Sequence, residues 1–191
     1  MRKTACLFLF SLLVATSAAD AALLTFSSSL SGANESPANL SPATGSVLVS
    51  WDTDLNTMRI EASFSGLTGN TTNAHIHCCT TVPLTANVGV ATTLPTFAGF
   101  PAGVTAGVFD ATYDMTLASS YSATFVTASG GTTALAAARL LQGLKDGKAY
   151  FNIHTTTFPG GEIRGFPVPE PASALLLGAG LLGLVARRRR A

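Results

Sequence analysis

The sequence predicts a mainly β fold, an antiparallel β-sandwich or barrel with one packed α-helix. Three observations lead to this prediction: a central region rich in Thr, Ser, Ala, Gly and Val, stretches where apolar and polar residues alternate, and one Ala- and Leu-rich segment. The chain has 191 residues, of which 47% are hydrophobic and 11% charged. This length suits one domain, and the apolar content excludes a disordered polar chain. A signal helix and a C-terminal hydrophobic helix are expected outside the β-domain.

Strands are predicted where side chains alternate with a period of two, which gives each strand one apolar face. Residues 57–64 show this most clearly, and the apolar face would carry Met58, Ile60, Ala62 and Phe64. Residues 47–51 and 109–117 also alternate, and residues 24–30 are predicted to form a first strand. A turn at 52–56 joins two of these strands and predicts an antiparallel hairpin.

One helix is predicted at residues 134–145, because Ala and Leu favour helix and Thr132 or Thr133 can cap the first turn. Gly147 can end it. The apolar stripe of this helix is predicted to comprise Leu135, Ala138, Leu141 and Leu144. Residues 79–104 show no period and contain several Pro and Gly residues, so we expect a long loop with short strand pieces.

The N-terminus has the three parts of a signal peptide. The positive start Met1-Arg2-Lys3 precedes an apolar run over residues 5–15, and Ala19 and Ala21 fit a small-x-small cleavage site. The apolar run is too short for a transmembrane helix. We therefore predict a signal peptide over residues 1–21 that signal peptidase removes, with a buried first helix as the alternative.

The C-terminus has a second sorting signal. Pro169, Glu170 and Pro171 precede an apolar stretch over residues 172–186, and the chain then continues with Arg187, Arg188, Arg189 and Arg190. The positive-inside rule keeps such arginines in the cytoplasm. These three parts, in this order, resemble the PEP-CTERM sorting signal of Gram-negative bacteria. The resemblance implies cleavage by an exosortase-type membrane enzyme and a setting of extracellular polysaccharide.

Residues 167–191 are therefore predicted to be a sorting tail. Before processing, its hydrophobic helix would hold the chain transiently in the inner membrane, with the body outside. Afterwards the protein would reach the cell surface or the extracellular space. A simple C-terminal membrane anchor is the alternative.

The two ends distort the overall composition. The whole chain has a formal charge of +1, but six of its eleven basic residues lie in the end segments. The remaining body, residues 22–166, contains five basic and eight acidic residues and so has a net charge of −3. A mildly acidic domain without a basic stripe excludes nucleic acid as a partner.

All three histidines of the chain lie in two strand-like motifs of the body. His75 and His77 share one face of a strand, and His154 shares a face of another with Tyr150 and Asn152. If these strands are neighbours, three imidazoles meet and suit copper or zinc. Alternatively, the rings bond to backbone carbonyls and tie loops to the sheet. No nucleophile elbow is present, so no catalytic residue is predicted.

The two cysteines of the body, Cys78 and Cys79, directly follow the His-x-His pair, whereas Cys6 leaves with the signal peptide. In an oxidising compartment they are not expected to remain thiols. The favoured prediction is a disulfide between the two neighbours that holds a tight turn. Metal ligation beside His75 and His77, or a bridge between two chains, are the alternatives.

A turn and a short strand are predicted at residues 157–165. Pro159 and Gly160 fit a type II turn, with the positive φ at the glycine. Glu162 and Arg164 would share a face of the following strand and form a weak exposed pair. An exposed recognition hairpin is the alternative.

Together these pieces resemble the CHRD domain, found in chordin and in many bacterial secreted proteins. The matching motifs span residues 30–37, 74–77, 152–155 and 158–165, and the resemblance covers roughly residues 24–166. It implies an immunoglobulin-like or superoxide-dismutase-like β-barrel or sandwich, and it implies no established activity. The sequence departs from the family at Cys78 and Cys79, where a glycine-rich turn is expected.

These observations favour an exported surface or extracellular-matrix protein whose domain is a non-catalytic binding or structural module. Extracellular polysaccharide or surface proteins would be its partners. The alternative is a copper- or zinc-binding secreted protein that uses His75, His77 and His154. A dismutase-like enzyme is less favoured, because three histidines are too few for a two-metal centre.

Overall fold

A computed structural model describes residues 23–170, and the predicted signal peptide, Pro171, the apolar tail and its arginines lie outside the described residues. The described residues form eight strands and two α-helices. The strands are β1 (Leu23–Ser31), β2 (Thr44–Asp52), β3 (Thr57–Ser65), β4 (Thr71–Cys78), β5 (Gly107–Asp114), β6 (Ala149–Thr155), β7 (Ile163–Gly165) and β8 (Val168–Pro169). The helices are α1 (Ala123–Ala128) and α2 (Thr133–Lys145).

The predicted mainly β, antiparallel class with one main helix is confirmed. All strands belong to one sheet in the order β4-β6-β7-β1-β2-β3-β5, which curls into a half-barrel, and β8 pairs with β1. The predicted hairpin joins β2 to β3, with Asp52 opposite Thr57. The Asp52 carboxylate closes its turn by accepting hydrogen bonds from the N–H groups of Asp54 and Leu55.

The two halves of the sheet differ in how they are covered. In β3 the alternate residues Met58, Ile60, Ala62 and Phe64 are buried, as the period of two predicts. In β6 all seven residues are buried, including the polar ones. The sheet therefore has one half with a face open to solvent and one half that is covered on both faces.

Helix α2 begins one residue before the predicted start and ends at the predicted residue, and the Thr132 hydroxyl accepts a hydrogen bond from the Leu135 N–H. The predicted apolar stripe was wrong for Leu135, which is 50% exposed, and for Ala138, which is exposed. It was right for Leu144, which is buried, and for Leu141, which packs against the core. The buried face consists of Ala136, Leu140, Gly143 and Leu144. The small residues Ala136 and Gly143 let this face approach the sheet closely, which the Ala-rich sequence could not reveal.

The long loop predicted over residues 79–104 is confirmed, since it contains only isolated β-bridges at Val90 and Thr92. It runs along the outer edge of β4 and is tied to it by backbone hydrogen bonds. The N–H of Ala91 donates to the Ile76 carbonyl, and the N–H of Phe97 donates to the Ala74 carbonyl. The loop thus closes the free edge of β4.

The C-terminal end of the described chain returns to the sheet. In β8, Val168 lies opposite Ser27 and Pro169 opposite Phe26, and the Glu170 N–H donates to the Thr25 carbonyl. Among residues 23–170, no helix is long and apolar enough to cross a membrane.

Candidate metal centre

The strand register gathers polar side chains into one layer on β4, β6 and β7. His77 lies opposite Tyr150 and His75 opposite Asn152, while Asn152 lies opposite Arg164 on its other side. Because alternate residues share a face, these side chains all project from the same side of the sheet. This polar layer is nearly closed to solvent, since its members are between 2% and 8% exposed.

The three histidines meet in this layer. One ring nitrogen of each lies within 4.8 Å of a ring nitrogen of the other two. The ring centroids are 5.4 Å apart for His75 and His154, 5.8 Å for His77 and His154, and 5.9 Å for His75 and His77. The structure thus brings together all three residues that the sequence proposes as ligands.

One nitrogen of each ring is held by a loop carbonyl. His75 Nε2 lies 2.5 Å from the carbonyl oxygen of Pro95. His77 Nδ1 lies 2.8 Å from that of Val88, and His154 Nδ1 lies 2.9 Å from that of Pro159. A carbonyl only accepts, so these ring nitrogens are the N–H donors and fix the tautomer of each ring.

The second nitrogen of each ring therefore bears a lone pair. These atoms are His75 Nδ1, His77 Nε2 and His154 Nε2, and all three are buried without a hydrogen-bond partner among the described residues. A ring that donates through one nitrogen to a backbone carbonyl and presents the other is the usual arrangement of a metal-ligating histidine.

Burial also sets the charge of the cluster. It lowers the pKa of His77 to about 4, although the bond to Val88 partly opposes this. Burial likewise lowers the pKa values of His75 and His154, with smaller opposing effects from their carbonyl partners. The rings are therefore neutral at neutral pH, which is the form that binds a metal ion.

Aromatic and cationic side chains pack against the histidine cluster at His77. The Tyr150 ring stacks on His77 with centroids 4.7 Å apart and the planes at 4°. The Arg164 guanidinium lies 4.6 Å from the centroid of Tyr150 and 5.3 Å from that of Phe166. These contacts hold His77 in one orientation.

The predicted weak pair between Glu162 and Arg164 was wrong, because both side chains are buried and bond elsewhere. Arg164 donates to the carbonyls of Asn34 and Ala86 and to the side chain of Asn87.

The Glu162 carboxylate accepts hydrogen bonds from the hydroxyls of Ser41, Thr68 and Thr155. Burial raises the pKa of Glu162, but these bonds and one from the Thr68 N–H outweigh it and leave the pKa below its usual value. The carboxylate therefore anchors three segments of the chain around the polar layer.

The turn after β6 also differs from its predicted form. The Gly161 N–H donates to the Phe158 carbonyl as expected, but the positive φ of 128° lies at Gly161 rather than at Gly160. A Cβ at Gly161 would overlap the side-chain amide of Asn152. Gly161 thus makes room for Asn152 in the polar layer.

Cys78 and Cys79 are joined by a disulfide in the structure. In this state neither sulfur offers a thiolate to the neighbouring histidines. The pair packs against α2 at Gly143, where a Cβ would overlap both Sγ atoms.

The sequence reasoning did not find Glu35 as part of this region. Its side chain is 6% exposed and its Oε2 lies 3.8 Å from Arg164 Nε. Burial raises the pKa of Glu35 to about 7, against the opposing charge of Arg164. The only signal in the sequence was its position inside the motif at residues 30–37.

Comparison with known proteins supports two assignments. A family model described as the CHRD domain matches residues 26–166, and one described as a PEP-CTERM protein-sorting motif matches residues 167–190. No curated protein matches the chain. No solved structure matches it either.

Proposed function

Because the chain belongs to the CHRD domain family and continues directly into a PEP-CTERM motif, we propose that it is an exported, exosortase-sorted protein whose domain binds one copper or zinc ion. The proposed role is binding, without a catalytic residue. The ion would be held by His75, His77 and His154. The cell surface or the extracellular space is the proposed destination.

The observation that favours metal binding is the set of three buried, unpartnered ring nitrogens. A buried acceptor that finds no donor costs about 1–3 kcal/mol, so three in one place require a reason. If the histidines served only to tie loops to the sheet, one bonded nitrogen per ring would suffice and the others would gain nothing from meeting.

The donor set favours copper or zinc over harder ions. The cluster comprises three imidazoles and no carboxylate, and neutral imidazole suits these two metals, whereas calcium and magnesium prefer oxygen. The chain contains only these three histidines, which argues against a dismutase-like two-metal centre. When bound, the ion would cross-link β4 and β6.

Metal stoichiometry tests the proposal. The purified protein, stripped of metal and then given Cu²⁺ or Zn²⁺ alone, should retain about one equivalent after dialysis, measured by elemental analysis. The double variant His75→Gln, His154→Gln should retain none while its circular dichroism spectrum stays native. Arg59→Gln, Glu61→Gln, a double change on the open face of the sheet that removes no proposed ligand, is the matched control and should bind normally.

Either of two results would refute metal binding at this cluster. The first is a wild-type protein that holds less than a tenth of an equivalent of both ions. The second is a folded double variant that retains the full equivalent, because the ion would then be bound elsewhere.

The sorting step has a separate test in the native host. Replacing Pro169, Glu170 and Pro171 with alanines should leave an uncleaved, membrane-bound form, seen as a larger band in the membrane fraction. Normal maturation of this variant would refute processing at the motif and transient anchoring by the tail.

A further inference from the structure

Among residues 23–170, five buried side-chain nitrogen or oxygen atoms have no hydrogen-bond partner. Three belong to the histidine cluster, and the other two are Asn152 Oδ1 and Glu35 Oε1. All five are atoms that can accept a hydrogen bond or ligate a cation. Buried polar groups are otherwise satisfied in this part of the chain, so their grouping calls for a common explanation.

The two additional atoms continue the polar layer in one direction. Asn152 lies directly opposite His75 on β4 and directly opposite Arg164 on β7. The Asn152 amide interacts with the Glu35 carboxyl, which reaches the layer from the segment after the 3₁₀ turn Gly32–Asn34. Glu35 therefore interacts with Asn152, and Asn152 lies beside His75 on the neighbouring strand.

Glu35 also borders the solvent side. A cavity of about 370 Å³ opens beside it and is lined by polar groups that include Ser28, Ser36, Thr85 and Arg164. The Glu35 side chain is thus placed between an open cavity and a buried layer whose other members are nearly closed to solvent.

We propose that Glu35 and Asn152 form the access route by which a metal cation passes from this cavity to the three histidines. Glu35 Oε1 takes the ion first, Asn152 Oδ1 replaces a water ligand next, and His75 receives it. This inference rests on the proposed function and adds residues that act on the rate of metal exchange rather than on its equilibrium.

Arg164 is the cation that opposes such a route, and its contacts limit this opposition. Its Nε and Nη1 donate to two backbone carbonyls and to Asn87, so part of its charge is already satisfied. It lies nearer to Glu35 Oε2, and Oε1 is the oxygen without a partner. The positive charge of the neighbouring guanidinium also weakens the binding of a cation at Glu35, so the ion would bind there only transiently.

The test separates rate from affinity. The metal-free full-length protein is mixed with Zn²⁺ or with Cu²⁺ in separate stopped-flow runs, and release is measured by transfer to a chromogenic chelator. Glu35→Gln should slow both loading and release by roughly tenfold or more while the Kd stays within about threefold. Glu61→Gln, an acidic residue on the open face of the sheet, is the matched control and should leave both rates unchanged.

Glu35→Asp provides a second variant, since it keeps the carboxylate and should restore most of the loading rate. Wild-type rates in a folded Glu35→Gln protein that still binds one ion would overturn the access route and leave the proposed function intact. A weakened Kd with unchanged loading would also overturn it, because Glu35 would then be a ligand. A wild-type protein that binds neither ion would refute the proposed function itself and the route with it.

Discussion

The open face of β3 and the polar layer of β6 are built from the same alternation of polar and apolar residues, yet they end in opposite environments. On β3, Arg59 makes a two-point ion pair with Asp110, and these side chains remain 47% and 56% exposed. On β6, Tyr150, Asn152 and His154 are buried. A polar face of a strand therefore does not by itself indicate contact with water.

The cause of the difference lies in the connections. A tight turn joins β2 to β3 and leaves their outer face uncovered. The loop after β4 and the turn after β6 instead bring the carbonyls of Val88, Pro95 and Pro159 over the polar layer. Each carbonyl accepts a hydrogen bond from one ring nitrogen of a histidine. The second nitrogen of each ring is buried and has no such partner among the described residues.

The strongest test of this contrast exchanges a carboxylate for an amide in each environment. Glu162→Gln should lower the free energy of unfolding by about 3 kcal/mol, because the amide N–H₂ replaces one of the two acceptor oxygens. It then faces a backbone N–H that cannot accept, either that of Thr68 at Oε1 or that of Gly69 at Oε2. Urea denaturation measures the change, with Glu61→Gln on the open face as the matched control. A decrease of less than about 1 kcal/mol would mean that these buried hydrogen bonds contribute no more to the free energy of unfolding than exposed ones do.

The second test compares how the stability of the wild type and of a Glu35 variant depends on pH. Because burial raises the pKa of Glu35 to about 7 in the folded protein, from 4.5, its contribution favours folding at low pH and is lost as pH rises through this range. Glu35→Gln resembles the protonated acid, so it should match the wild type near pH 4.5 and exceed it by about 2 kcal/mol near pH 8.

The quantity to compare is the difference between the two proteins in urea denaturation at several pH values. The histidines, whose pKa values are lowered, titrate in an overlapping range with the opposite slope, and the difference removes their contribution. A constant difference between variant and wild type would contradict the raised pKa. A carboxyl that reduces stability at neutral pH fits a residue kept for function.

A smaller effect is expected where the covered half meets α2. Gly143→Ala gains helix propensity worth about 1 kcal/mol, but the new methyl group overlaps both sulfurs of the Cys78–Cys79 pair. We expect a net decrease of about 1 kcal/mol in the free energy of unfolding, measured by thermal denaturation. Gly89→Ala, where a Cβ meets nothing within 4 Å, is the control. A stabilised Gly143→Ala protein would show that the helix can move away from the disulfide.

The smallest effect belongs to the open face. Arg59→Ala removes the ion pairs with Asp110 and Glu61, yet the unfolding midpoint should not change measurably, since all three side chains are solvated. Repeating the measurement at low and high salt should give the same result. A clear, salt-dependent loss would show that this face is more closely structured than its exposure indicates.

The sequence predicted what depends on neighbouring residues. The alternation at residues 57–64, the hairpin turn after Asp52 and the cap at Thr132 all follow from local patterns, and the structure confirms them. The sequence pattern also placed His75 and His77 on the same face of a strand. Their meeting with His154 depended on the pairing of β4 with β6, two strands far apart in the chain, and no local pattern reports that.

Other features were beyond the reach of local patterns for the same reason. Glu35 lies in an irregular segment without periodicity, so nothing marked its carboxyl as buried. The burial of Glu162 and Arg164 depends on partners such as Ser41, Thr68 and Asn87 that lie far away in sequence. The buried face of α2 depended on the disulfide beside Gly143, which an Ala-rich helix does not indicate.

Because β8 pairs with β1, the first residues of the sorting motif are part of the folded sheet. An enzyme that takes residues 169 and 170 as an extended peptide must compete with β1 for the Glu170 N–H, which the Thr25 carbonyl already holds. Peeling β8 away uncovers the backbone edge of β1 around Phe26. A bare edge of this kind can pair with another strand, so displacement of β8 would give the sheet one more site at which a neighbouring chain could add.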